Sequence, residues 1–169
     1  PVSPANCYGD SKVQAENGIR SLNEDSFKVV ILRPPMIYGK ESKGNYPLLA
    51  GIACKTPVFP YVNNERSMLY IENLCEFVRL MVENEESGTF WPQNSEYSNT
   101  SEFVKMIADA HRKKIRLVKG FDGMLNLIGH FTGLVHKAFG NFSYEMDLSK
   151  YRTEYNIVSV AESIRKTEQ

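Results

Sequence analysis

The spacing of apolar positions switches along this chain between a helical period and near-continuous runs, and the switches delimit its elements. After a loop over residues 1–6, Val13, Ile19 and Leu22 share one face, which predicts a helix capped by Asp10 or Ser11 and ending near Leu22. Asn23-Glu24-Asp25 stops it. Phe27 to Leu32 follows as an apolar run rich in β-branched residues, closed by Pro34-Pro35. Such a run predicts a strand covered on both faces, as in a parallel sheet. Residues 46–54 predict a short helix, and Pro57 to Pro60 an extended piece between prolines. Residues 67–71 read as a strand that leads into a helix over 72–83, where Leu74, Phe77, Val78 and Met81 follow i, i+3, i+4, i+7 spacing. A strand is expected over 88–91. A helix then opens at Asn99, with Glu102 three residues on in a capping-box-like start and Phe103, Ile107 and Ala108 facing inward. Short strands are expected at 115–118 and 144–147, and a closing helix at 159–166. Met124 to Phe139 carries apolar residues at helical spacing, but Gly129 and Gly133 weaken the helix and His130 and Lys137 favour a segment lying on its own protein over a membrane.

Composition narrows the function classes. A chain of 169 residues can bury one sizeable core, and 42% apolar with 24% charged residues is the balance of a globular protein. Lys plus Arg equals Asp plus Glu at 20 each, which argues against binding nucleic acid through bulk charge; the basic run from His111 to Arg116 is too short to change that. No apolar run reaches the roughly 18 residues of a membrane span, so no membrane partner is expected. Cys7, Cys54 and Cys75 are odd in number and form no C-x-x-C pair, which favours a reducing, cytoplasmic setting over a disulfide framework or zinc site. His111, His130 and His136 lack metal-ligand spacing, no G-x-S-x-G elbow supports a hydrolase, and Phe90 and Trp91 read as core residues.

The candidate chemistry begins at Tyr8-Gly9-Asp10-Ser11-Lys12. Residues four apart lie on one face of a helix, so the ammonium of Lys12 can sit beside the phenol of Tyr8. A free tyrosine titrates near pH 10, and a cation within a few ångströms favours the phenolate by about 1 to 3 pH units. That makes a tyrosine usable for moving the proton of a hydroxyl under oxidation. For this composition chance alone supplies about 0.6 such pairs, so the pair needs its context.

The context is a series of ordered motifs. Pro4, Tyr8, Gly9, Ser11 and Lys12 match P-x-x-x-Y-G-x-S-K; Arg33, Pro34, Tyr38 and Gly39 match R-P-x-x-x-Y-G; Arg66, Ser67, Asn73 and Leu74 match R-[DS]-x-x-x-V-x-[DN]-L, with Ile71 in place of Val. Together these resemble the extended short-chain dehydrogenase/reductase family, specifically its NAD-dependent nucleotide-sugar epimerases and dehydratases. The resemblance continues more weakly through the closing turn and helix over 148–164. It implies an α/β fold: the C-terminal part of a Rossmann-like doubly wound sheet plus a small mixed α/β substrate-binding lobe. Residues 1–40 would be the last helix and strand of the NAD-binding domain and 41–169 the nucleotide-sugar lobe, with about 67–94 returning to the sheet.

The resemblance also assigns roles. Tyr8 would be the catalytic acid/base and Lys12 its activator and ribose ligand, both touching NAD or NADP. Pro35 and Ile37 would lie against the nicotinamide. Arg66 would bind the substrate pyrophosphate, where a planar, permanently charged fork suits the task. Val58 and Phe59 would line the nucleotide base, and Asn45 would contact sugar or phosphate. Arg33 reads as a structural residue at the strand end; by itself Arg66 would read as a surface partner of Glu65 or Glu72. Arg116 and Lys119 are candidates for a second phosphate ligand. A homodimer of the whole enzyme is implied. The family binds its dinucleotide at a G-x-x-G-x-x-G turn. These residues contain none, since Gly120-x-x-Gly123 follows no fitting strand and reads as a loop. The family's Ser or Thr upstream of the tyrosine is missing too. The chain therefore reads as the C-terminal half of such an enzyme, with NAD held mainly by the other half and no turnover expected in isolation. The rival reading is a non-catalytic module of the same fold that binds a nucleotide or a partner chain.

Overall fold

The computed structural model describes residues 6–120 and 141–169. Its first helix, α1, spans Cys7–Arg20, so its cap stands four residues before Asp10, the earlier of the two predicted caps. Asn6 is the cap, its Oδ1 accepting from Gly9 N at 2.9 Å, so neither Asp10 nor Ser11 is needed for it. The predicted inner face is also corrected: Ile19 and Leu22 are exposed and no residue of α1 is buried.

Strand β1 is Val30–Leu32, shorter than the apolar run, because Phe27 turns back to bond Glu24 and stays exposed. Nor is β1 fully covered. Val29 and Ile31 are buried, whereas Val30 and Leu32 are half-buried and line an open cleft with Val78, Met81 and Val82 of a later helix. After Arg33–Pro35 comes β2 (Met36–Tyr38), then α2 (Tyr46–Lys55), β3 (Val58–Pro60), β4 (Met68–Tyr70) and α3 (Ile71–Glu83). The chain continues through β5 (Gly88–Phe90), α4 (Thr100–Ala110), β6 (Arg116–Val118) and a closing helix, α5 (Val160–Thr167). The strand predicted over 144–147 is instead coil leading into a 3₁₀ turn at Met146–Ser149. Tyr144 N donates to the Ser67 side chain at 2.8 Å, a bond that takes it out of any ladder. The segment from Met124 to Phe139, together with Gly123, lies outside the described residues.

Among the described residues the strands pair in parallel: β1 with β5, β2 with β4 and β3 with β6, in registers such as Ile31↔Thr89, Ile37↔Leu69 and Phe59↔Leu117. Parallel partners need crossover connections, which α2, α3 and α4 supply. In α3 the buried stripe is Asn73, Phe77, Leu80 and Met81, while the predicted Val78 stays exposed. The true stripe, i, i+4, i+7, i+8, is as helical as the predicted one but rotated toward Leu80. At α4, Asn99 Oδ1 accepts from Ser101 N and Glu102 N, and Phe103, Ile107 and Ala108 are fully buried.

One apolar cluster gathers α2, α4 and α5 around Phe103, which meets Tyr38 edge-on at 5.3 Å and Tyr46 at 5.9 Å. A second joins Leu69, Phe77 and Tyr155, with Phe90 against it. Trp91, expected in the core, is half-buried beneath Arg33, whose guanidinium carbon lies 5.7 Å from its ring centre.

Candidate active site

Tyr8 stands in the first turn of α1 with 71% of its surface exposed. Lys12, one turn on, carries its Nζ to 5.2 Å from the centre of the Tyr8 ring. The i, i+4 geometry thus brings ammonium and phenol together on an open face. Ser11 Oγ donates to Tyr8 O at 2.8 Å, an internal helix bond that leaves the phenol uninvolved. Glu16 continues the stripe, and Arg33 grips it with two hydrogen bonds. The Arg33 guanidinium holds the Glu16 carboxyl below the usual carboxylate range. The spacing of Tyr8, Lys12 and Glu16 was open to inspection in the sequence; that Arg33 meets this stripe was not.

Pro35 is buried and Ile37 half-buried, on either side of Met36 at the start of β2. Beyond them Gly39 sits against the start of α3, where a Cβ would collide with Ile71 Cγ2. Close backbone approach, rather than positive φ, is what requires glycine there. Asn45 caps α2 through its backbone alone and its side chain is exposed. On β3 the paired candidates part company: Val58 is 47% exposed while the Phe59 side chain is 4% exposed in the core, as alternation along a strand demands.

Arg66 is half-buried, and that desolvation lowers its pKa. Its backbone exchanges two hydrogen bonds with Ser98, at 3.0 and 2.9 Å, and bridges to Phe142. Glu72 is engaged elsewhere, by Lys166 Nζ at 2.5 Å and Tyr70 Oη at 2.9 Å. Asn73 is wholly buried and bonded on every side, a core residue rather than a ligand. Lys119 Nζ lies 5.3 Å from the Tyr61 ring centre, and Arg116 pairs with Val58 across β3 and β6. Among the described residues no group of three His, Cys, Asp or Glu side chains could hold a metal; His111 meets Glu168.

The motif-bearing stretch matches a known family over residues 1–91, the NAD dependent epimerase/dehydratase family. The chain belongs to that family. Among curated relatives, the UDP-glucose 4-epimerase of Vibrio cholerae is 30% identical over 114 residues, covering 64% of this chain and 35% of that protein. The N-acetyl-alpha-D-glucosaminyl-diphospho-ditrans,octacis-undecaprenol 4-epimerase of Escherichia coli O157:H7 is 36% identical over 93 residues, covering 52% of this chain and 28% of its own length. The fold matches the UDP-glucose 4-epimerase of Thermus thermophilus in complex with NAD at a TM-score of 0.66, with 16% identity, over 98% of this chain and 53% of that one. The dTDP-4-dehydrorhamnose reductase of Bacillus anthracis str. Ames in complex with NADP also scores 0.66, at 19% identity, over 98% and 56%. These matches establish an α/β, partly Rossmann-like fold of epimerase/dehydratase type, and the chain spans about half the length of the solved relatives. No described helix is long and apolar enough to cross a membrane.

Proposed function

We propose that this chain is the acid–base and substrate-binding portion of an NAD(P)-dependent nucleotide-sugar epimerase or dehydratase. The observation that carries the proposal is the Lys12 ammonium over the exposed Tyr8 ring. With the ammonium beside it, the exposed phenol of Tyr8 would take the proton of a sugar hydroxyl and return it after rearrangement. A bound nicotinamide would supply the site for hydride transfer, with Lys12, Pro35 and Ile37 placed to hold it. The residues fit its reactive end: Lys12 carries donors for the ribose hydroxyls, and Pro35 and Ile37 offer an apolar wall. They supply no Gly-rich turn for its pyrophosphate. Arg66, Asn45 and β3 would hold the nucleotide sugar. Because Phe59 points into the core, contact with the base there falls to the Val58 side chain and the strand backbone.

On this reading, residues 1–40 belong with the dinucleotide domain and 41–169 form the substrate lobe, with 67–94 returning to the sheet; the β1–β5 and β2–β4 pairings support that return. The whole enzyme is a cytoplasmic homodimer, and the 169-residue chain alone does not turn over. In the protein that naturally carries this segment, Tyr8→Phe lowers sugar-dependent turnover by about 10²-fold or more, while the affinity for UDP stays within about twofold. Equal loss of both would make Tyr8 structural and refute the proposal. Epimerisation by the isolated chain supplied with NAD and UDP-glucose would refute its dependence on a second portion.

The second reading is a non-catalytic module of the same fold that binds a nucleotide or a partner chain. Tyr8-independent UDP binding, without turnover in the natural protein, would select it.

A further inference from the structure

Within these 169 residues helix α1 is held by polar contacts and not by a buried apolar stripe. A helix on a sheet is ordinarily held in rotation by its buried apolar stripe, and α1 has no buried residue at all. What it has is a polar stripe: positions 8, 12, 16 and 20 advance by about 40° every four residues. The stripe is gripped at Glu16. Arg33 Nε donates to Glu16 Oε1 at 3.0 Å and Arg33 Nη2 to Oε2 at 2.5 Å, with the two side chains only 24% and 17% exposed. Arg33 is itself fixed in the sheet. Its backbone N donates to Phe90 O at 2.9 Å, extending the β1–β5 ladder, and its guanidinium lies over Trp91. One turn further along α1, Arg20 approaches Glu16 at 3.5 Å and donates to Thr89 Oγ1 on β5 at 3.0 Å.

We propose that Arg33 and Glu16 are positioning residues, their two-point ion pair setting the rotation of α1 on the β1–β5 pair and so the direction in which Tyr8 and Lys12 point. The significance for catalysis rests on Tyr8 and Lys12 acting as proposed above; the mechanical role does not. A planar guanidinium meeting a carboxylate through two bonds fixes orientation as well as distance, which a single ammonium contact cannot do. The lever is long. A phenol oxygen lies about 9 Å from the axis of its helix, so a roll of about 20° in α1 displaces it by about 3 Å. Displacements of about 1 Å at a reacting group can cost about 10²-fold in rate.

The test uses spin labels on the native, exposed Cys7 and Cys75, one beside Tyr8 and the other on α3, in a Cys54→Ser background. Pulsed electron–electron distance measurement is expected to give one narrow distribution for the parent. In Arg33→Lys, and independently in Glu16→Gln, it should shift or broaden at least twofold, while far-UV circular dichroism and the melting transition show the chain still folded. Distributions superimposable on the parent's in both variants would overturn the proposal. In the natural enzyme Arg33→Lys is expected to lower kcat at least tenfold, with KM for the nucleotide sugar changed less than twofold; a matched rise in KM with kcat unchanged would overturn the catalytic role. A natural protein without Tyr8-dependent turnover would refute the proposed reaction and leave the distance measurement to decide the ion pair.

Discussion

Asn73→Ala is the substitution for which the structure gives the most definite consequence. The Asn73 side chain lies in the interior between α3, the segment after β5 and the approach to α5. Its Nδ2 donates to Val158 O at 3.0 Å and to Asn94 Oδ1 and Asn156 Oδ1 at 3.3 Å each, while its Oδ1 accepts from Val158 N at 3.0 Å. Alanine removes the side-chain partner of both the N–H and the C=O of Val158. A buried polar group left without a partner costs about 1–3 kcal/mol, so two give about 2–6 kcal/mol. Asn94 Oδ1 keeps its bond from Tyr70 N at 3.0 Å and needs no further compensation. Against a total stability of about 5–15 kcal/mol, a loss near the middle of that range is large. Urea unfolding followed by circular dichroism should show a lower midpoint with an unchanged slope. Amide exchange should rise first around Val158 and α5. A loss below about 1 kcal/mol, or exchange rising first in α2, would refute this account of how the segment is held.

Two other outcomes follow from the packing and burial of the same interior. Gly39→Ala should destabilise the chain by about 1–3 kcal/mol through overpacking against Ile71. Ile71→Ala in the same chain should recover most of that loss in a double-mutant cycle, and additivity would show that the glycine serves another purpose. In alkaline solution, burial pushes up the phenols of Tyr38, Tyr46, Tyr70, Tyr144 and Tyr155. A group whose pKa is raised by folding gives stability that is complete below its unfolded value, near 10, and is lost as pH rises through its folded value. The four that are fully buried, Tyr38, Tyr46, Tyr70 and Tyr155, should therefore ionise together with unfolding, as ¹³C-labelled tyrosine resonances would report; ionisation well ahead of the loss of circular dichroism would contradict their burial.

Much of this protein was legible in the order of its residues. The i, i+4 spacing of Tyr8 and Lys12 was enough to bring their side chains together, because helix geometry is local and needs no tertiary partner. The cap at Asn99, the shared face of Phe103, Ile107 and Ala108, and the extended piece between Pro57 and Pro60 are local in the same sense. What the tertiary structure alone decided depends on contacts far apart in the chain. Phe59 looked like a neighbour of Val58 with a shared task, until pairing with β6 set which of the two faces the core. Asn73 was one letter of a motif, and only the return of Val158, 85 residues later, makes it a buried hydrogen-bonding hub. Glu16 was an ordinary helix glutamate until the strand carrying Arg33 folded beside it. Periodicity fixes which residues share a face, but only packing chooses which face is covered, since burial and buried hydrogen bonding depend on what arrives from elsewhere in the chain.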